Sequence, residues 1–390
     1  MIQANEAFLK ISENFSIDKH EIISTQNALG YKLFDDILAI KNLPAFDNSA
    51  LDGYAVKFDE QKNGYVLKDS IFAGEKKELS INGNECVKIM TGAPFPKGAD
   101  SVIRLEDAIQ KDGKIYANSN FKKGDAHRFL GEETKVGEIL LTKNTTLTPI
   151  HIMYLAAQGI THVKVYKKPK IAIFSSGDEL KEPWEWADEL EIYNANAYGV
   201  ASLLSHYGFS SDYLGIIKDD LDATINSFKQ IDGYDVVFCS GGASKGEADY
   251  MKTALVSLGY TEIFSRINIR PGGPCKAFTK DNKLIFILPG NPMAAYLCAF
   301  LFALPVLLGK EHDKVVAKAM QEIKLKQGRA NVVLGSVNFT QNECEFHITD
   351  NNNFGSGMIK PLIKSNALYL SDATQDGIKK DSVIKVIRFS

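Results

Sequence analysis

Between residues 165 and 312 the chain alternates short apolar runs with amphipathic ones, and this rhythm limits its fold more than any other feature. "PKIAIFSSG", "DYLGIIKDD", "YDVVFCSGG" and "KLIFILPGN" read as strands. "ANAYGVASLLSHYG", "LDATINSFKQI", "ADYMKTALVSLG" and "PMAAYLCAFLFALPVLL" read as the helices between and after them. Strands apolar on both faces and joined by helices form a parallel sheet covered on each side. The expected fold class is therefore α/β plus β, with a doubly wound, mostly parallel α/β domain. Residues 31–148 carry short β-type runs broken by Gly, Asn and Asp, which predicts a β-rich lobe without a long helix. After about residue 315, "VVLGSVNFT", "CEFHITD" and "SVIKVIRFS" predict a small C-terminal β domain. Two helices stand outside this scheme. One covers residues 1–15, where Ala7, Phe8, Ile11 and Phe15 recur at helical spacing. The other lies in "LTPIHIMYLAAQGI", with Thr148 as cap, Pro149 at its first position and Gly159 ending it.

With 390 residues, the chain is too long for one compact core. Its 45 basic and 48 acidic residues leave a formal charge of −3, which gives no support for nucleic-acid or anionic-membrane binding. Five scattered cysteines form no CxxC and no zinc spacing, so a reducing, cytoplasmic setting is expected. The most hydrophobic stretch, 293–308, is shorter than the ~20 residues that span a bilayer and contains Pro305. A buried or interface helix is the expectation there. The N-terminus lacks the apolar core of a signal peptide.

The chemistry is concentrated at strand ends. In an open parallel sheet, ligands bind outside the carboxyl ends of the strands. Four predicted strands end in "SSGDEL", "KDD", "SGGASKGEAD" and "LPGNP". Their glycines admit a ligand close to the backbone, and Gly–Ser turns cradle oxyanions. Their carboxylates repel oxyanions. A divalent cation between protein and phosphate reconciles the two, since Mg²⁺ is held by one or two carboxylates plus substrate oxygens. Arg266, Arg270 and Lys276, in "RINIRPGGPCK", add positive charge nearby. Taken singly, each loop also reads as a plain βα turn, and Asp219–Asp220 as a helix cap. Lys245 is not a Walker lysine, because GxxxxGK[ST] is absent. The first 150 residues hold a second polar cluster in "LPAFDNSALDGYAV", "KIMTGAPFPKGAD" and "RFLGEETKVGE", which locally reads as turns of a β domain.

"FDNSALDGYAV", "IMTGAP", "SSGDEL", "SGGASKGEAD" and "LPGNP", in this order and spacing, resemble the molybdopterin molybdenumtransferases, the bacterial MoeA family that includes the E domain of gephyrin. "GSGMIKPLIKSNAL" extends the resemblance to the C-terminus. It implies an elongated homodimer of four-domain chains. A discontinuous linking domain would use 1–40 with 129–164, a β-rich lobe 41–128, a molybdopterin-binding α/β domain 165–312 and a β-barrel-like domain 318–390. The activity implied is the Mg²⁺-dependent insertion of molybdate into adenylylated molybdopterin, with release of AMP.

The same resemblance implies residue roles. Asp178, Glu179, Asp219 and Asp249 would hold Mg²⁺ or orient water, with Asp178, Asp219 and Asp249 as metal ligands. Ser176, Gly177, Ser240, Gly241 and Gly242 would bind pterin and phosphates. Arg266, Arg270, Lys276 and Ser356 would meet anionic groups including molybdate, and Pro289 and Pro292 would shape their loop. Asp52, Thr91 and Glu133 are the implied functional acids and hydroxyl of the β-rich lobe, which in the family faces the partner chain's site. Five positions depart from the family pattern: Glu133 replaces an aspartate, Arg266 and Arg270 replace lysines, Gly273 stands in "PGGP", and Lys245 replaces a small residue. Arginine keeps the charge but changes the geometry. Other members of this circle remain open at this level: a molybdopterin adenylyltransferase, a tungsten-inserting relative, a gephyrin-type scaffold, and partners among other cofactor-biosynthesis proteins.

Overall fold

A computed structural model describes residues 1–241, 250–341 and 343–389. The chain divides into two compact units, Met1–Asp18 with Lys167–Ser390, and Lys19–Tyr166.

The first unit is built on a six-stranded sheet. Its strands are β1 (Ile171–Ser176), β2 (Ser211–Ile217), β3 (Val236–Ser240), β4 (Thr261–Phe264), β5 (Lys276–Lys280) and β6 (Lys283–Leu288). They lie in the order β2-β1-β3-β6-β5-β4. The first four of that order run parallel, and the last two add an antiparallel edge. All residues of β1 and β3 are buried, as their unbroken apolar runs require. Helices α1 (Asn196–His206), α2 (Leu221–Lys229), α3 (Tyr250–Ser257) and α4 (Pro292–Cys298) connect and cover the strands. Two hydrophobic clusters form on the sheet. Phe238 and Phe286 stack within one, and Phe174, Phe228 and Met251 belong to the other.

The apolar stretch after α4 continues as a π-helical turn, Ala299–Ala303, and a further helical turn, Leu304–Leu308. Pro305 has no N–H to donate backward, which interrupts the regular ladder. Phe300's carbonyl lies 2.7 Å from Nε2 of His312, whose ring stacks on Phe300. All five residues of the π turn are buried, and among the described residues no helix is long and apolar enough to cross a membrane.

The same unit carries a closed five-stranded barrel, Lys314–Ala319, Ala330–Phe339, Cys344–Ile348, Ala367–Leu370 and Val383–Arg388, closed by pairing of Ala330–Phe339 with Ala367–Leu370. The short helix Ala7–Ser12 packs here as well. Ala7, Ile11 and Phe15 form a stripe buried against Leu304 and Phe300 of the α/β core, so residues 1–18 fold with this unit and not with 129–164.

The second unit has separate cores. Ala28, Leu33, Leu141, Leu147, Leu155 and Val165 form one, drawn from both ends of the segment. Strand His20–Ser24 pairs with His162–Tyr166, and Ile37–Leu38 with Ile139–Leu141. The helix Pro149–Ala157 lies in this part, with His151 Nδ1 accepting from the Thr148 N–H at 3.2 Å and Gly159 at φ +78° past its end. The residues between form a curled six-stranded sheet with cores around Val87 and Ile103.

Candidate functional site

The strand order locates the crevice. From β1 the chain crosses to β2 on one side, then returns to β3 on the other. The carboxyl ends of β1 and β3 therefore diverge into loops of opposite direction, and a ligand cleft opens between them. Register keeps those ends level, with Ser175 opposite Ser240, Ser176 opposite Ile217 and Ser240 opposite Leu288. A pocket of about 830 Å³ lies there, lined by Ser176, Gly177, Glu179, Asp219, Ser240 and Gly241 among others, and by Pro289 and Pro292 of the loop after β6.

Gly241 is required by this geometry. Its φ is +98°, and a Cβ would sit 2.0 Å from the Ser176 carbonyl oxygen. Only a residue without a side chain lets the two strand ends approach so closely. Ser176 Oγ donates to Asp219 Oδ1 at 2.9 Å, and the Asp219 N–H donates to Asp178 Oδ1 at 3.2 Å. Asp178 thus orders the β2 loop and is not at a helix start. Asp220 is the cap of α2, accepting from the Ala223 N–H at 2.8 Å. The pair of aspartates divides its work, one lining the pocket and one capping α2.

A second pocket, about 440 Å³, adjoins the first and shares Pro274, Pro289 and Asn291 with it. Arg266, Arg270, Arg329, Asn331 and Ser356 line it, and among the described residues no carboxylate does. Three guanidiniums, each a fork of donors without acceptors, suit a small oxyanion. Asn291 Nδ2 donates to Ser356 Oγ at 2.6 Å, joining the "LPGNP" loop to the barrel. Lys276 lines neither pocket; it begins β5 and is 5% exposed. Arg329 and Asn331 were not among the residues expected from sequence. The only local signal was a glycine before the arginine in "QGRANVV".

In the second unit, Asp52 and Thr91 are bonded directly. The Thr91 N–H and Oγ1 donate to Asp52 Oδ1 at 2.7 and 2.8 Å. These bonds, the backbone one foremost, hold the Asp52 carboxyl below the usual carboxylate range. Glu133 lies 3.8 Å from the Arg128 guanidinium, which also meets Glu132 at 3.0 Å. His127, sandwiched between Phe95 and Phe129 at 3.8 and 4.1 Å, ties together the loops that carry Thr91 and Glu133. Asp47 adds the third loop: its Oδ1 accepts from the Leu130 N–H at 2.6 Å, and its carbonyl from the Phe95 N–H at 2.9 Å. Gly242 and Asp249 lie outside the described residues.

The comparisons with known proteins agree with this architecture. Residues 2–159 match the MoeA N-terminal region (domain I and II), and residues 172–309 match a probable molybdopterin binding domain. A molybdopterin molybdenumtransferase of Staphylococcus aureus (strain Mu50) is 30% identical over 78% of this chain and 75% of its own length. The chain belongs to the molybdopterin molybdenumtransferase family. Proteins of that name from Staphylococcus epidermidis (strain RP62A) and Haemophilus influenzae (strain Rd) are 27% and 28% identical. The first match covers 99% of this chain and 95% of the relative, the second 100% and 99%. The crystal structure of a molybdopterin biosynthesis MoeA protein from Pyrococcus horikoshii superposes with a TM-score of 0.83 at 24% identity, covering 100% of this chain and 99% of that one. The family places this transferase in molybdenum cofactor biosynthesis.

Proposed function

We propose that the chain inserts molybdenum into molybdopterin from molybdate, using the adenylylated pterin as activated substrate and releasing AMP. The observation that carries this reading is the polarity of the two adjoining pockets. One presents carboxylates and hydroxyls at the sheet's switch point, and the other presents, among the described residues, three guanidiniums and no acid. A nucleotide-activated pterin and a tetrahedral oxyanion need those two environments side by side. Hydrolysis of the phosphoanhydride transfers water's oxygen to phosphorus and frees AMP, while the dithiolene sulfurs that take molybdenum come with the substrate.

The residues fit magnesium in the manner typical of a substrate-bridged ion. Among the described residues no three acids, histidines or cysteines form a complete protein cage. Asp178 and Asp219 adjoin through the Asp219 N–H, and Mg²⁺ needs only one or two carboxylates beside substrate oxygens and water. Asp178 and Asp219 would hold it, with Asp249, and the ion would offset charge on the phosphoanhydride. Glu179 would orient water. Ser176, Gly177, Gly241 and Gly242 would line the nucleotide side, Pro289 and Pro292 would shape the junction, and Arg266, Arg270, Arg329 and Ser356 would take molybdate, with Lys276 adding charge from behind. Asp52, Thr91 and Glu133 would serve the partner chain's site in the homodimer. A four-domain homodimer working in the cytoplasm completes the reading, and five free cysteines accord with a reducing compartment.

The test is reconstitution. Purified chain, adenylylated molybdopterin, Mg²⁺ and molybdate should release AMP and a molybdenum-loaded pterin. AMP release without molybdate-dependent cofactor formation would refute the assignment, and consumption of ATP with free molybdopterin would make the chain an adenylyltransferase.

A further inference from the structure

The hydroxyl protons at the crevice are already committed to the protein. Ser176 Oγ donates to the Asp219 carboxylate at 2.9 Å. Thr224 Oγ1 donates to the Asp220 carbonyl at 2.7 Å. Ser240 requires following a longer row. Its Oγ lies 3.2 Å from Ser175 Oγ, and either could donate on distance alone. Ser175, however, donates its one proton to Asn194 Oδ1 at 2.9 Å. The orientation of that amide is fixed from two sides. The Ala197 N–H donates to Oδ1 at 3.4 Å, and Asn194 Nδ2 donates to the Tyr213 hydroxyl at 2.8 Å. Tyr213 in turn donates to Glu182 Oε1, a carboxylate that only accepts. Burial, and then the Glu182 bond, push the Tyr213 phenol well above its ordinary pKa, so its proton stays in place. Ser175 and Asn194 are 0% and 1% exposed, so water cannot relieve them. The bond between the two serines therefore runs from Ser240 to Ser175.

Among the described residues, the three aliphatic hydroxyls lining the pocket thus have only lone pairs left to offer a ligand. We propose that Ser240 is a specificity-determining residue that accepts a hydrogen bond from the exocyclic amino group of a bound pteridine, and that Asn194, Tyr213 and Glu182 are positioning residues that set its polarity. This inference rests on the pterin reading above and narrows the role that the resemblance implied for Ser240: it reads the heterocycle and does not donate to phosphate. The acceptor face of the crevice complements the guanidinium-rich pocket beside it. A site built to accept from a donor rejects an analogue that offers an acceptor in its place, because the buried oxygen is then unsatisfied.

The experiment uses the full chain with EDTA present and two fluorescent probes, pterin, with its 2-amino group, and lumazine, which carries a carbonyl there. Pterin should bind about tenfold tighter or more than lumazine. Ser240→Ala should reduce that preference to about threefold or less while leaving affinity for inorganic phosphate unchanged. Tyr213→Phe keeps the ring but removes the acceptor that holds Asn194 Nδ2, leaving only the Ala197 N–H to fix the amide, and should also weaken the preference without substituting any lining residue. Equal affinity for both probes in the native chain would overturn the proposal. So would an intact preference in Ser240→Ala, a tenfold loss of phosphate affinity in that variant (making Ser240 a phosphate donor after all), or a preference that appears only with added Mg²⁺ (making it a metal ligand). Failure of the native chain to bind either pteridine would instead overturn the pterin reading itself.

Discussion

Replacing Asn331 by leucine separates the stability of the barrel from its service to the oxyanion pocket. Asn331 is 6% exposed and closes the turn 326–331. Its Nδ2 donates to the Lys326 and Arg329 carbonyls at 3.0 and 2.8 Å, and its N–H donates to Ser371 Oγ at 2.9 Å. Leucine has nearly the same length but no donor. The two carbonyls lie at an exposed turn and can recover water, so each lost bond costs near the low end of the usual range, for a total of about 2–3 kcal/mol. For a unit of this size, at about 2–4 °C per kcal/mol, Tm should fall by roughly 4–12 °C. The larger consequence is at Arg329, whose backbone the amide fixes and whose side chain lines the pocket. Complete loss of one charge-assisted contact is worth about 1.5–3 kcal/mol, or about 10- to 150-fold in affinity. A freed arginine retains part of it, so molybdate affinity should fall by about 5- to 50-fold. Arg329→Ala sets the lower limit. Titration calorimetry with molybdate, well below both melting transitions, reads the affinity, and scanning calorimetry reads Tm. Pteridine binding should be unchanged in both variants. A depressed Tm with native molybdate affinity would refute the reasoning, since Arg329 would then be placed without the amide.

Three further outcomes follow from other parts of the molecule. Gly241→Ala must move backbone away from the Ser176 carbonyl and hold alanine at φ +98°, so it should cost about 2–4 kcal/mol and weaken pteridine binding; native melting and binding would show that the two strand ends are not locked. In Thr91→Val the hydroxyl bond to Asp52 is lost and the backbone bond remains, so the Asp52 carboxyl should titrate closer to its ordinary value in a carboxyl-carbon NMR titration. Because its folded pKa is lowered, the stabilisation from Thr91 is fully present above the unfolded carboxylate pKa and is lost as pH falls through the folded value. The acid limb of stability should therefore move to higher pH in the variant, and an unmoved limb would refute the pairing. Chelation with EDTA should abolish AMP release from adenylylated pterin while leaving molybdate affinity at the guanidinium pocket intact; turnover that survives chelation would remove Mg²⁺ from the account.

Much of the α/β unit was legible because its signals are local. The unbroken apolar runs of β1 and β3 can be satisfied only by burial on both faces, and the Gly–Ser and acidic tails that follow them can lie only at the strands' carboxyl ends. Asp178, Asp219, Ser240 and Pro289 were expected together; the last three line one pocket with Ser176, while Asp178 is not among its lining residues and meets the site through the Asp219 N–H. Other features had no local signal. Arg329 follows an ordinary turn glycine, and only closure of the barrel brings it beside Arg266 and Arg270. The Ala7–Ser12 helix has a clear apolar stripe, yet a stripe states that it must be covered and not by what.

The amino-acid order by itself determined the four parallel strands of the α/β sheet, the helices between them, and that carboxylates and glycines share the same edge. It did so because propensity, apolar period and turn chemistry act over a few residues. The tertiary structure alone decided the strand order that opens the crevice, the guanidinium from the barrel, and the direction of the protons running from Ser240 to Glu182. Those depend on groups 19 to 65 positions apart in the chain meeting at hydrogen-bond distance, and a bond's polarity is settled only when every donor and acceptor around it has been placed.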